Sequence, residues 1–296
     1  MRRIVLSASR RTDIPSFYMP WFMERIAEGV FEVPHPYGGP PTVVPATADR
    51  VHTIVFWSKN FGPFLEGGFG KALVDQGYHL FFNYTINSSH PLLEPGVPAL
   101  EARLEQLARL CEQFGPDHIQ WRFDPICCYR EADGRSADNG IAFETIARRA
   151  AALGIRTCIT SFVDLYRKVK RRFTATTITL TDPPLSDRRA HILAMARLLD
   201  PLQIRLYLCC EPEVLAALPD DTSVRQAACI PNHRLARLNG TDISLARDTG
   251  QRVAAGCGCQ RSRDVGSYAQ HPCHHNCLFC YANPAGDRAV QKESRP

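Results

Sequence analysis

The chain has 296 residues, of which 45% are hydrophobic and 22% charged, with a formal net charge of +5. These values lie in the ordinary range for a soluble globular protein. No apolar run approaches the roughly 18 residues of a membrane helix, which argues against a bilayer-spanning chain. The opening "MRRIVLSASRR" has a basic flank but only a short apolar run and no small-residue cleavage site. A secretory signal is therefore not expected, and the cytoplasm is the expected location.

In chain order, short β-branched and aromatic runs alternate with helical patterns. The strand candidates are "IVLSAS" (4–9), "TIVFWS" (53–58), "HLFFNYT" (79–85), "HIQWRF" (118–123), "IRTCITSF" (155–162), "QIRLYLCC" (203–210) and "QAACI" (226–230). Nearly continuous apolar character is how strands buried on both faces of a parallel sheet read. Between them, "PALEARLEQLARLCEQFG" (98–115) puts Leu100, Leu104, Leu107 and Leu110 on one stripe, with Pro98 in the first turn and Gly115 as a C-terminal cap. "ADNGIAFETIARRAAALG" and "SDRRAHILAMARLLD" have the same period. The segment 31–50, rich in proline and glycine, reads as a hairpin or excursion. The fold expected is α/β, a full or partial TIM-type (β/α) barrel. No glycine-rich dinucleotide fingerprint follows the first strand, which counts against a doubly wound sheet. After Ile230 the rhythm fades. Residues 1–235 are expected to form the barrel, and 236–296 an appended cysteine-rich segment packed on its mouth.

Barrel enzymes carry their chemistry at the carboxyl ends of the strands. Those ends are polar here, and Arg10, Arg11, Asp13, Lys59, Arg122, Asp124 and Glu211 are the candidate substrate and catalytic residues. Ser9, Asn83, Thr85 and Ser161, with Ser262, Asp264 and Tyr281 from the late segment, are candidate cofactor contacts. Taken singly, Asp13 or Asp124 before a turn also fits a helix cap. Thirty of the 35 basic residues are arginine, the side chain that grips phosphate and carboxylate bidentately. The run "RKVKRR" (167–172) reads as a solvated face, with a nucleic-acid patch as the weaker option.

Five of the twelve cysteines, Cys257, Cys259, Cys273, Cys277 and Cys280, fall within 24 residues. In a reducing compartment such clusters bind metal or do chemistry more often than they form disulfides. The others, among them Cys111 and Cys158, mostly sit in strand-like runs and read as small buried hydrophobes. A zinc site completed from Cys257, Cys259, His271, His274 and His275 is one option for the last three thiols. A redox dithiol is not, since no plain C-x-x-C opens a helix after the first strand. The C-x3-C-x2-C spacing of "CHHNCLFCY", with an aromatic after its last cysteine, fits the radical S-adenosylmethionine motif fully. There three thiolates hold a [4Fe–4S] cluster, and the open iron chelates the cofactor. Cys257 and Cys259 are surplus to that need and suggest a second metal site, with Cys229 or Cys210 as a further ligand.

The motifs "SASRRTDIP", "FWSKN", "WRFDPI", "SFVDLYRK", "CCE" and "CGCQRSRDVGSYAQHPCHHNCLFCYAN" together resemble the domain-of-unknown-function 1848 family over nearly the whole chain. The resemblance implies a radical S-adenosylmethionine-like protein whose cluster motif has moved from the first strand to the C-terminal side. The cluster segment is also similar to that of spore photoproduct lyase. The family's usual "CID" reads "CIP" here, at Cys229 to Pro231. An enzyme with an unknown substrate is therefore expected, taking an anionic small molecule or nucleic acid and fed by a donor such as a flavodoxin or ferredoxin. A zinc-stabilised nucleic-acid-binding module without chemistry of its own is the alternative.

Overall fold

The computed structural model describes residues 2–34, 39–282 and 284. Its centre is an eight-stranded sheet in which every neighbouring pair is parallel. We number its strands β1 (Ile4–Ala8), β2 (Val51–Ser58), β3 (His79–Thr85), β4 (Ile119–Arg122), β5 (Thr157–Thr160), β6 (Arg205–Leu208), β7 (Arg225–Gln226) and β8 (Arg263–Val265). The spatial order is β7-β6-β5-β4-β3-β2-β1-β8. Each of the first six strands thus lies beside its successor, and the last lies against the first.

Strand periodicity divides the apolar residues between two cores. One face carries Leu6, Ile54, Phe56, Phe82, Tyr84, Trp121, Cys158 and Leu206, which pack against the surrounding helices. These helices include Met19–Glu28, Leu100–Phe114, Phe143–Ala152 and Leu185–Leu199. The opposite, inner face carries Val5, Val55, Phe81 and Ile159, together with Cys229, Cys257 and Cys259. A third cluster lies in the loops after the strands and joins Leu93, Cys127, Tyr129, Val163 and Phe173 to Cys277 and Phe279.

The expected hairpin in 31–50 is present as an antiparallel pair, Val30–Val33 with Thr42–Pro45. The C-terminal segment differs from the expectation. The boundary placed at residue 235 falls inside the helix Asn232–Asn239, and the mostly irregular residues after it are not merely appended. They contribute β8, which pairs with β1. Arg263 and Asp264 give β8 no apolar run to read. Only Val265 is fully buried, while Asp264 takes Arg10 as a partner at 3.0 Å.

No ladder joins β7 to β8, yet residues 256–260 lie along 226–230. Gln260 N donates to Ile230 O at 3.1 Å, and Gln226 Nε2 to Gly256 O at 2.7 Å. A Cβ on Gly258 would stand 2.4 Å from Ala227 O. The glycine of "CGC" is thus needed for close backbone contact. Among the described residues no helix is long and apolar enough to cross a membrane.

Phe82 has no exposed surface and meets Phe56, Phe61, Phe64 and Phe114 at ring separations of 4.9 to 6.2 Å. Phe82→Ala is expected to cost about 3–5 kcal/mol, read by anaerobic denaturant unfolding. A loss below about 1 kcal/mol would contradict this packing account.

Candidate functional site

The C-x3-C-x2-C loop sits at the carboxyl ends of the sheet strands, fastened to the segments that trail β1, β2 and β3. Asp13 is the main anchor. Its Oδ1 accepts from Ser16 N at 3.0 Å, capping the helix Ile14–Phe17. Its Oδ2 accepts from Ser58 Oγ at 3.0 Å and Lys59 N at 2.9 Å, and lies 2.9 Å from His275 Nε2. His275 Nδ1 faces Gly96 O at 2.9 Å. Gly96 N donates to His275 O at 3.0 Å, and Leu278 N to Leu93 O at 2.9 Å. Tyr18 Oη reaches Pro272 O at 2.6 Å, and Tyr281 Oη reaches Arg10 O at 3.1 Å. Asn276 adopts a left-handed conformation with φ of 53°, which asparagine tolerates better than most residues.

Arg172 closes the far side. Its guanidinium donates to Leu278 O, Cys280 O and Ala282 O at 2.8, 2.7 and 3.2 Å. The basic run 167–172 is therefore not simply a solvated face, because one of its arginines reads the backbone of the thiol loop. Burial pushes the Cys273 thiol up to about 12 and raises Cys277 and Cys280 as well. The Lys59 charge opposes the rise at Cys277, as Arg172, Lys59 and Lys168 do at Cys280. Lys59 Nζ lies 2.5 Å from Glu94 Oε1 and stands over the Phe279 ring.

One buried and two half-buried thiols held by a fixed backbone, with cations close by, suit a thiophilic metal centre. Coordination replaces each thiol proton with a cation and lifts the desolvation penalty. The zinc completion expected from the histidines is not assembled. His275 is engaged by Asp13 and Gly96. His271 Nδ1 accepts from Ser267 N at 3.1 Å and packs on Tyr18 and Trp21. Cys257 and Cys259 belong to the inner-face core instead. Among the described residues no three His, Cys, Asp or Glu side chains converge as a site for one ion.

Other expected site residues gather around a second group of thiols. Cys209 Sγ lies 3.9 Å from Cys210 Sγ and 3.8 Å from Cys229 Sγ. Arg122 donates through Nη1 to Cys229 Sγ at 2.6 Å and through Nη2 to Asp124. Ser161 Oγ donates to Asp124 Oδ1 at 2.5 Å, and Asn83 Nδ2 to Cys229 O at 2.9 Å. Arg10 contacts Asp264 and Ser262 and stands over Trp57. Hydrogen bonds from Cys209 and Cys257, aided by Arg252, hold the Cys210 thiol well below its usual range.

Not every candidate joins these groups. Arg11 is taken up by carbonyls, Pro34 O at 3.4 Å and Gly266 O at 3.3 Å. Ser9 Oγ accepts from Ile14 N at 3.3 Å, and Thr85 is buried at the end of β3. Glu211 lies off the β6 end, where Phe162 N donates to its Oε1 at 2.8 Å. Burial raises its carboxyl to about 7 against the hydrogen bond from Phe162 and the charge of Arg188. Sequence reading missed Glu94, Gly96, Arg172 and Arg252. Only "EPG" (94–96) offered a signal, as a turn.

A family model matches residues 5–282. The chain belongs to the family described as Domain of unknown function (DUF1848). No curated protein matches it. Among solved structures, it is matched to the crystal structure of orotidine 5′-monophosphate decarboxylase from Methanocaldococcus jannaschii. The identity is 8% over 81% of this chain and 95% of that one, with a TM-score of 0.26. A likeness that low carries no argument about fold or activity. The DUF1848 match takes in every candidate residue named above.

A Cβ on Gly96 would lie 2.6 Å from His274 O and 2.9 Å from His275 Cα. Backbone cannot yield as a side chain can, so Gly96→Ala is expected to lift the thiol loop and cost about 1–3 kcal/mol. The check is faster anaerobic alkylation of Cys273, Cys277 and Cys280, mapped by mass spectrometry; an unchanged rate would refute the docking account.

The raised pKa of Glu211 has a defined sign. Its contribution to stability is complete below its ordinary 4.5 and is lost as pH rises through about 7. At about 1.4 kcal/mol per unit, the loss is of order 3 kcal/mol. Glu211→Gln is expected to flatten the fall in unfolding free energy between about pH 5 and pH 8. Equal slopes in variant and wild type would show that Glu211 is not the titrating group.

Proposed function

We propose that this DUF1848 protein is a radical S-adenosylmethionine enzyme built on a TIM-type β/α barrel. The strand order supports the barrel, since β1 to β7 are sequential neighbours, β8 returns to β1, and residues 256–260 bridge the remaining gap. The observation that carries the activity is the position of the "CHHNCLFCY" loop. It lies at the carboxyl ends of the strands, just after the strand paired with β1. A motif that ordinarily follows a first strand thereby reaches the same region from the other side of β1.

Cys273, Cys277 and Cys280 would hold a [4Fe–4S] cluster. When bound, such a cluster leaves one iron open to chelate S-adenosylmethionine and supplies the electron that releases a 5′-deoxyadenosyl radical. The protein's part is positioning and shielding. Asp13, Gly96 and Arg172 fix the loop, and the apolar side chains of Leu93, Val163 and Phe279 exclude water beside the thiols. Lys59 and Arg172 offset negative charge there. Glu211, near half protonation at neutral pH, can hold or release a proton. Arg10 and Arg122 suit an anionic substrate, whether a small molecule or nucleic acid. A reducing cytoplasm and a donor such as a flavodoxin or ferredoxin accord with this chemistry.

The test is anaerobic reconstitution with iron and sulfide, followed by reduction with S-adenosylmethionine present. The wild type should be brown and release 5′-deoxyadenosine. The triple variant C273A/C277A/C280A, folded by circular dichroism, should release only background amounts. Full activity in that variant, or a colourless zinc-containing wild type, would overturn the reading.

A further inference from the structure

We propose that Cys210, Cys229, Cys257 and Cys259 bind a second metal centre, an iron–sulfur cluster, on the inner face of the sheet, with Cys209 as a hydrogen-bonding thiol beside it. This proposal does not depend on the reading of the 273–280 loop.

Five thiols from three separate stretches meet where β6 and β7 end and the 256–260 segment closes the sheet. They form a ring. Cys209 lies 3.9 Å from Cys210 and 3.8 Å from Cys229. Cys229 adjoins Cys259, Cys259 adjoins Cys257, and Cys257 adjoins Cys210, closely enough for each thiol to act on the next. All are free thiols. Ordinary packing does not explain the grouping. A cysteine used as a small hydrophobe, such as Cys158, sits among aliphatic and aromatic side chains on the other face. These five are instead bordered by guanidinium groups. Arg122 Nη1 is 2.6 Å from Cys229 Sγ. The charge of Arg10 acts on Cys259, and that of Arg252 on Cys210. Arg10 Nη2 is buried with no hydrogen-bond partner, an orphan donor that neutral thiols satisfy poorly. Metal-bound thiolates are anions and would answer all three cations.

The ring's shape selects the kind of metal. A tetrahedral ion with bonds of about 2.3 Å draws all four sulfurs to within about 3.8 Å of each other. Among the described residues no three such donors converge on one point. An iron–sulfur cluster takes one thiolate per iron and accepts the wider spread. Cys209 donates its S–H to Cys210 and adjoins Cys229. Ile230 N points to Cys259 Sγ at 3.4 Å. Hydrogen bonds to ligand sulfur are the kind that tune such centres.

The experiment uses the folded triple variant C273A/C277A/C280A, in which the other thiol group is gone. After anaerobic reconstitution with ferrous iron and sulfide, it is expected to keep about half the wild-type iron, with matching acid-labile sulfide and visible absorption. Adding Cys229→Ala or Cys259→Ala should remove that remainder, and adding Cys209→Ala should leave it. A folded triple variant devoid of iron overturns the proposal, as does one holding zinc without sulfide. Loss on Cys209→Ala equal to that on Cys229→Ala overturns the ligand assignment. Should the triple variant not fold, Cys229→Ala with Cys259→Ala in the otherwise native chain must halve the iron, and unchanged iron refutes the site. Equal iron in the triple variant and the wild type would refute the 273–280 cluster while supporting this one.

Discussion

One buried carboxylate organises the carboxyl end of the sheet. Asp13 leaves neither oxygen to solvent: one caps a short helix, and the other gathers Ser58, Lys59 and His275. Through those partners it joins the ends of β1 and β2 to a loop encoded more than two hundred residues later. A buried carboxylate is costly unless its lone pairs are met by donors. Here the donors come from three elements, so the positions of all three are fixed by satisfying one group.

Arginine's dominance has a local meaning. Arg172 reaches several carbonyls of one loop, Arg11 joins carbonyls on two separate segments, and Arg122 splits its fork between a thiol and a carboxylate. Lysine, a point charge, cannot bridge two directions in this way. The long irregular stretches after β7 are held largely by such forks and by glycine contacts, with little regular structure of their own.

Much of the fold could be read in the sequence because buried parallel strands are written in apolar runs. Six of the seven such runs became sheet strands, the seventh shares only Gln226 with the short strand β7, and the helix at 100–114 ends at the glycine that was read as its cap. β8 was not legible, because a three-residue strand of arginine, aspartate and valine has no periodicity to detect. The thiol loop was legible from spacing, whereas its supports were not. Gly96 acts by lacking a side chain, and Arg172 acts from within a run that looks like any charged surface. Cys229 and Cys210 were named from the sequence as partners for Cys257 and Cys259, but nothing in the sequence added Cys209 to them, because it stands in an apolar strand end.

The pairing of β1 with β8 sets an order of events during synthesis. Arg10 and Asp264 are 254 residues apart along the chain. Until the ribosome has delivered that late strand, β1 carries an open edge, and both groups of thiols lack members. Contacts of such long sequence separation form slowly and leave strand edges exposed in the meantime. Any cofactor loading must therefore wait until synthesis has passed residue 280, and the nascent chain is a natural client for chaperones that shield sheet edges.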